Sequence, residues 1–169
     1  MKKFELTDEF VTNVFGKKLF RIKALVAFGN VEKGELGGFI EKEENLSNNG
    51  SAWVSGDAWV SGNAQVSGDA QVYGDAWVYG DARVSGNAQV SGNADYAVVA
   101  GFGRYFRTTT FFRCKDKILR VQCGCFYGDL AQFREIVKKT HGDSKYAKEY
   151  LAIADLMELH FSDECGGEQ

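Results

Sequence analysis

Cysteine and histidine are the residues of this 169-residue chain best suited to metal chemistry. Cys114, Cys123, Cys125 and Cys165 all lie in the last third, with His141 and His160. Structural zinc sites usually space paired cysteines by about two to four residues. Cys123-Gly124-Cys125 leaves one. On an extended strand those two thiols point the same way, and free cysteine is among the most buried residue types. Core thiols are the expected reading, with no metal and no cofactor.

A second constellation is basic. Residues 101–128 carry six basic residues against one acidic, whereas the flanking segments 46–100 and 129–169 are each net −4. The cluster is Arg104, Arg107, Arg113, Lys115, Lys117 and Arg120, interleaved with Tyr105, Phe106, Phe111 and Phe112. Arginine beside aromatic rings suits a phosphate or carboxylate partner, so a nucleic acid, a nucleotide or another small anion is one candidate ligand. Internal pairing with the acidic flanks is the competing reading. No Gly-rich phosphate loop, Ser-His-Asp pattern or paired carboxylate stands out.

The strongest signal is a repeat. From Ser51 the chain reads SAWVSG DAWVSG NAQVSG DAQVYG DAWVYG DARVSG NAQVSG. Valine recurs at 54, 60, 66, 72, 78, 84 and 90, alanine two residues before it and glycine two after. A period of six does not match a helix. Alanine and valine two apart face one side of a strand, and Gly-Asp or Gly-Asn supplies a turn. Each hexad is therefore one short strand and one corner. A single hexad cannot bury its apolar side, but stacked coils can.

This order of aliphatic, small or polar, turn, turn, alanine and variable residue resembles the hexapeptide repeat of left-handed β-helix proteins. The resemblance implies triangular coils of about eighteen residues. Serine or tyrosine follows the valine here, where that family often has glycine; the position faces outward. On such coils Trp53, Gln71 and Gln89 share one outer face, Trp59, Trp77 and Asp95 the next, and Gln65 and Arg83 the third. Tyr79 joins the Trp59 face and Tyr73 the Trp53 face. Trp59 and Trp77 should lie one above the other, about 4.8 Å apart along the stack. Exposed indoles are common in interfaces, so Trp53, Trp59, Trp77, Tyr73 and Tyr79 are candidate protein contacts; cover by a cap or by a second copy is the plainer alternative. Asp57 above Asp75, and Asn63 above Asp81, are read as turn residues rather than a cation site. Threonine ladders of the ice-binding type are absent from the repeat.

Both open ends of a solenoid expose unpaired strand edges that must be covered. Residues 1–45 read as a β cap and lead-in, 46–100 as the solenoid and 101–169 as a ββαα module. In the first, Phe4–Leu6, Val11–Phe15 and Leu19–Phe28 read as strands, and Ile40 and Leu46 stand six apart like first rungs. In the last, Thr108–Cys114 and Ile118–Cys125 form a hairpin. Asp129 and Ser144 cap two helices, Gly142 separates them, and Ser162–Gln169 should fray. The expected fold class is mainly β, and the resemblance implies a short left-handed parallel β-helix of about three coils.

The stretches GGFIEKEENLS (37–47) and GDSKYAKEYLAI (142–153) are similar to segments of small phage and prophage hexapeptide-repeat proteins. That likeness implies a binding protein acting on a bacterial protein, such as an inhibitor of host defence of the anti-CRISPR type. A homo-oligomer is expected: the hexapeptide-repeat resemblance implies a trimer, and a core of about three coils leaves a dimer through the Trp face equally open. Many hexapeptide-repeat proteins are acyltransferases with a histidine on or near the β-helix; here His141 and His160 fall on expected helices. No run of about 18 apolar residues could span a membrane, the start lacks the apolar core of a signal peptide, and a cytoplasmic protein with reduced thiols is expected.

Overall fold

A computed structural model describes residues 1–162. Cys165 and nearly all of the tail expected to fray lie outside the described residues. The chain opens with an antiparallel hairpin of β1 (Phe4–Thr12) and β2 (Lys18–Ala24), followed by β3 (Leu36–Ile40). Seven two-residue strands come next: β4 (Trp53–Val54), β5 (Trp59–Val60), β6 (Gln65–Val66), β7 (Gln71–Val72), β8 (Trp77–Val78), β9 (Arg83–Val84) and β10 (Gln89–Val90). Four longer strands follow: β11 (Tyr96–Phe102), β12 (Arg107–Arg113), β13 (Leu119–Cys123) and β14 (Phe126–Asp129). Helices α1 (Leu130–His141) and α2 (Lys145–His160) close the chain.

The seven short strands pair in parallel with partners eighteen residues on. Trp53 pairs with Gln71, Trp59 with Trp77, Gln65 with Arg83, and Gln71 with Gln89. Three faces result, ordered β3-β5-β8, β4-β7-β10 and β6-β9. Each inward alanine and valine of the repeat is at most 1% exposed, because side chains this small fill the narrow interior completely. The corner glycines from Gly56 to Gly86 take positive φ, most of them close against the coil below. At Gly68 φ is 65°, and a methyl group there would lie 2.9 Å from the nitrogen of Gly86.

Coils are joined by parallel ladders, in which each strand both donates to and accepts from its neighbour. Trp59 N–H donates to Ala76 O, Gln65 to Ala82 O and Gln71 to Ala88 O, each at 2.9 Å. The first coil therefore presents carbonyls with no coil above them. Three different groups cover them. Lys3 Nζ donates to Ala52 O at 2.8 Å, the Phe39 amide to Ala58 O at 2.9 Å, and Asn45 Nδ2 to Ala64 O at 2.8 Å. At the far end the exposed donors are met by side chains: Trp77 N–H by Asn93 Oδ1 at 2.8 Å and Arg83 N–H by Thr110 Oγ1 at 3.0 Å. Both ends are closed as the sequence requires.

The C-terminal unit differs from the expected ββαα. Its antiparallel sheet has four strands, ordered β11-β12-β13-β14. Strand β11 was hidden by the end of the repeat. Asp95 sits in a short 3-10 turn, Asn93–Asp95, instead of on a further rung. Strand β14 is only four residues long and contains Gly128, so no alternation marks it. Alternation along β12 serves two cores at once. Phe112 packs into the solenoid interior, whereas Phe111 packs with Phe133, Val137, Ala154 and Met157 of the helices. The helix ends match the sequence: Asp129 Oδ1 accepts from Gln132 N–H at 2.8 Å, Ser144 Oγ from Ala147 N–H at 3.4 Å, and Gly142 ends α1 at φ 56°.

Lys3 yields a pH test. It is 3% exposed, and burial lowers its ammonium from 10.5 to about 8, against the opposing pull of Asp69. Between those two values the unfolded chain holds more protons than the folded one, so this group's contribution to stability rises with pH. Denaturant melts of wild type and Lys3→Met at pH 8, 9 and 10 should show wild type gaining on the variant as pH rises. A constant difference would contradict the burial of Lys3.

Candidate interaction surfaces

The face built on β3, β5 and β8 carries a column of aromatic residues in register. Phe39 pairs in register with Trp59, and Trp59 with Trp77. The guanidinium of Arg21 lies 4.3 Å over the Phe39 ring and closes the top. Trp59 meets Trp77 edge-on, centroids 5.7 Å apart at 74°, and Trp77 leans on Tyr79 at 5.1 Å. An edge-to-face pair suits the ring quadrupoles better than the parallel stack that register alone suggests. Trp77 Nε1 donates to Ser61 Oγ at 3.1 Å, and Tyr96 donates its hydroxyl proton to Trp77 O at 2.5 Å. Both indoles are half-buried and held in place, while Tyr79 is 53% exposed. Val98, also exposed, lies beside it.

Phe39 belongs to this column and was missing from the sequence candidates. Its signal was present: Phe39-Ile40 occupies the same place in its hexad as Trp53-Val54 and Trp59-Val60.

Trp53 does not belong to any outer surface. It is 1% exposed, covered by Phe28 at 5.3 Å, edge-on, and by the backbone at Gly37. The lead-in after β2 folds over this face, and that fold-back had no signature in the hexad pattern. Tyr73 stays on the Trp53 side, 37% exposed and apart from the column.

The basic cluster is dispersed by its own contacts. Arg120 makes a two-pronged pair with Asp116, at 2.8 and 2.9 Å, which holds that carboxyl down at about 2. Arg113 Nε lies 3.4 Å from Asp95, its Nη2 donates to Phe161 O, and its guanidinium covers the Phe161 ring. Lys115 and Lys117 are exposed at the hairpin turn, where Lys117 has φ 70°. Arg104 and Arg107 stand apart from these, flanking Tyr105 at 5.5 and 5.3 Å.

Of the three cysteines described, Cys114 is a core thiol pushed up by burial. Cys123 is partly buried and accepts a hydrogen bond from Thr109 Oγ1 at 3.2 Å. Cys125 is exposed, because the turn at Gly124 ends β13 and breaks the alternation that would have buried it. His141 stacks on Tyr150 at 5.9 Å, and His160 abuts Phe161. Both lie on the helices. At the corners, Ser51 Oγ donates to Asp69 Oδ1 at 2.7 Å and Asn63 Nδ2 to Asp81 Oδ1 at 3.3 Å. These bonds are turn-to-turn links along the stack.

Comparison with known proteins bears on the repeat. Residues 64–80, 70–86 and 76–92 each match the family model described as the YdcK beta solenoid repeat. The central segment is a β-solenoid repeat. The likeness spans 64–92 and includes neither capping unit. No curated protein matches the chain. Among the described residues, no helix is long and apolar enough to cross a membrane.

The division within the basic cluster can be measured. Arg113→Ala should cost about 1 kcal/mol in urea unfolding, through lost packing and pairing. Arg104→Ala should stay within about 0.5 kcal/mol of wild type. Equal, negligible effects would mean that the contacts of Arg113 contribute nothing to the fold.

Proposed function

We propose that this is a non-catalytic binding protein whose partner is another protein, held by the column of Trp59, Trp77 and Tyr79. The observation that carries the reading is that column. Two indoles fixed by register and by Ser61 lead to an exposed phenol, on the outer face of a rigid sheet. Preorganised aromatic side chains lose little entropy on binding and dominate interface energetics. The eighteen-residue pairing and three-faced cross-section support a hexapeptide-type β-helix of about three coils; its left hand rests on the family resemblance. A bacterial partner, a component of host defence as the target of an anti-CRISPR-type inhibitor, and a cytoplasmic setting rest on the likeness to phage and prophage proteins. An acyltransferase reading gains little support: His141 and His160 are on the helices, engaged with Tyr150 and Phe161.

The test uses the full chain as bait in bacterial lysate, beside a Trp59→Ser, Trp77→Ser double variant of matched melting temperature. Wild type should retain a partner that the variant loses, each truncation costing about 2 kcal/mol of binding. Equal recovery from both baits would refute this use of the column. Light scattering on the same samples tests self-assembly. A dimer or trimer that the double variant dissolves would assign the face to a second copy of the chain.

A further inference from the structure

The helical unit contains a cavity separate from the aromatic column. It has a volume of about 350 Å³ and opens between β14, α1 and the loop joining β11 to β12. Its floor is apolar: Phe126, Phe133, Ile136 and Val137. Phe133 is fixed at its centre, 5.8 Å from both Phe126 and Tyr150. Arg104 and Arg107 stand at the rim and flank Tyr105.

These two arginines differ from most others in the chain. Arg21, Arg113, Arg120 and Arg134 each pair with a carboxylate. Among the described residues Arg104 and Arg107 have no carboxylate within ion-pair reach, and the ring both guanidiniums meet is Tyr105. Arg83 is the other such arginine; it faces a neighbouring polar groove that Arg107 also lines. The guanidinium of Arg107 lies against the turn at Gly124. Gly124 has φ 59°, and a methyl group there would lie 2.4 Å from Arg107 Nη1. The turn before β12 is also strained, with Phe106 at φ 55°. A non-glycine residue at positive φ persists only where its surroundings hold it, and here that turn carries Arg104, Tyr105 and Arg107 to the rim.

The geometry points to a binding site for a small amphipathic anion, a planar apolar body bearing one carboxylate or phosphate group. The apolar floor takes the ring, and the guanidiniums at the rim take the anionic group, by a forked contact from either one. The volume sits near the lower end of small-molecule pockets, which run from about 300 to 1,000 Å³, and suits a body of about two fused rings. An aromatic carboxylate and a purine nucleoside monophosphate share this chemistry. The site is independent of the protein-binding reading of the aromatic column.

Calorimetric titration of the full chain with 2-naphthoate and with AMP tests the site. Neutral 2-naphthalenemethanol and adenosine serve as controls. At least one anion should bind saturably at one site, about tenfold or more tighter than its neutral counterpart. Naphthoate alone would identify the carboxylate class, AMP alone the nucleotide class. Arg104→Gln with Arg107→Gln should weaken the anion about tenfold or more and leave the neutral control unchanged. Ile136→Glu, at a position already 38% exposed, should abolish binding without unfolding the chain. Failure of both anions to bind at low-millimolar concentration, equal affinity for anion and neutral control, or binding indifferent to both variants would overturn the proposal.

Discussion

Everything in this molecule depends on the parallel ladders of backbone hydrogen bonds that join one coil to the next. Within the repeat each short strand exchanges N–H and carbonyl bonds with the strand paired to it, eighteen residues on. Such a ladder satisfies its interior and leaves unpaired peptide groups on the first and last coils. Buried or half-buried, an unpaired peptide group costs about 1–3 kcal/mol. A solenoid this short has few interior rungs to set against its ends, so the ends decide whether it exists. The chain meets the alanine carbonyls of the first coil with an amine, an amide nitrogen and a backbone N–H, from Lys3, Asn45 and Phe39. At the other end it meets N–H groups with the side-chain oxygens of Asn93 and Thr110, and the Trp77 carbonyl with the hydroxyl of Tyr96.

Those closures also determine what remains outside. Bringing Lys3 to Ala52 places its amine over Phe28, and Phe28 covers Trp53. One tryptophan is thereby removed from the surface, while two are left on a face that the caps reach only at its edges. At the other end, Thr110 and Phe112 of β12 turn toward the coils and Phe111 turns toward the helices. The helical unit is thus fixed to the solenoid through a shared strand. The salt bridges that absorb Arg113 and Arg120 belong to this same joint, between the 3-10 turn at Asp95, the hairpin turn at Asp116 and the end of α2. What the charge pattern offers as one basic surface is divided by the folding of the unit, and only Arg104 and Arg107 are left facing a cavity.

The legible part of the sequence was the part with a period. The hexads gave the strands, the corners and the inward alanines and valines; the family resemblance they carry gave the eighteen-residue register of Trp59 on Trp77. Local signals of comparable strength gave both helix caps, at Asp129 and Ser144, and the stop at Gly142. What could not be read depended on contacts far apart in the chain. Nothing in the hexad around Trp53 reports that Phe28 returns to cover it. Nor does the pattern show that Tyr96 begins a new sheet, since Asn93-Ala94-Asp95 continues the repeat by composition. The side-chain closures were the least legible. Lys3 and Asn45 look like ordinary polar residues until the carbonyls they meet are known.

Hydrogen exchange on the native protein, comparing wild type with Asn45→Leu, bears most directly on the idea that the ends hold the ladder. The variant keeps the bulk of Asn45 and removes the donor to Gly62 O and Ala64 O. If the capped solenoid is one cooperative unit, the amides of Trp59, Gln65 and Gln71 will all exchange faster, by about tenfold or more. Acceleration confined to Gln65, next to the lost cap, or no acceleration, would show that each face is held independently and that the ends do not govern the fold.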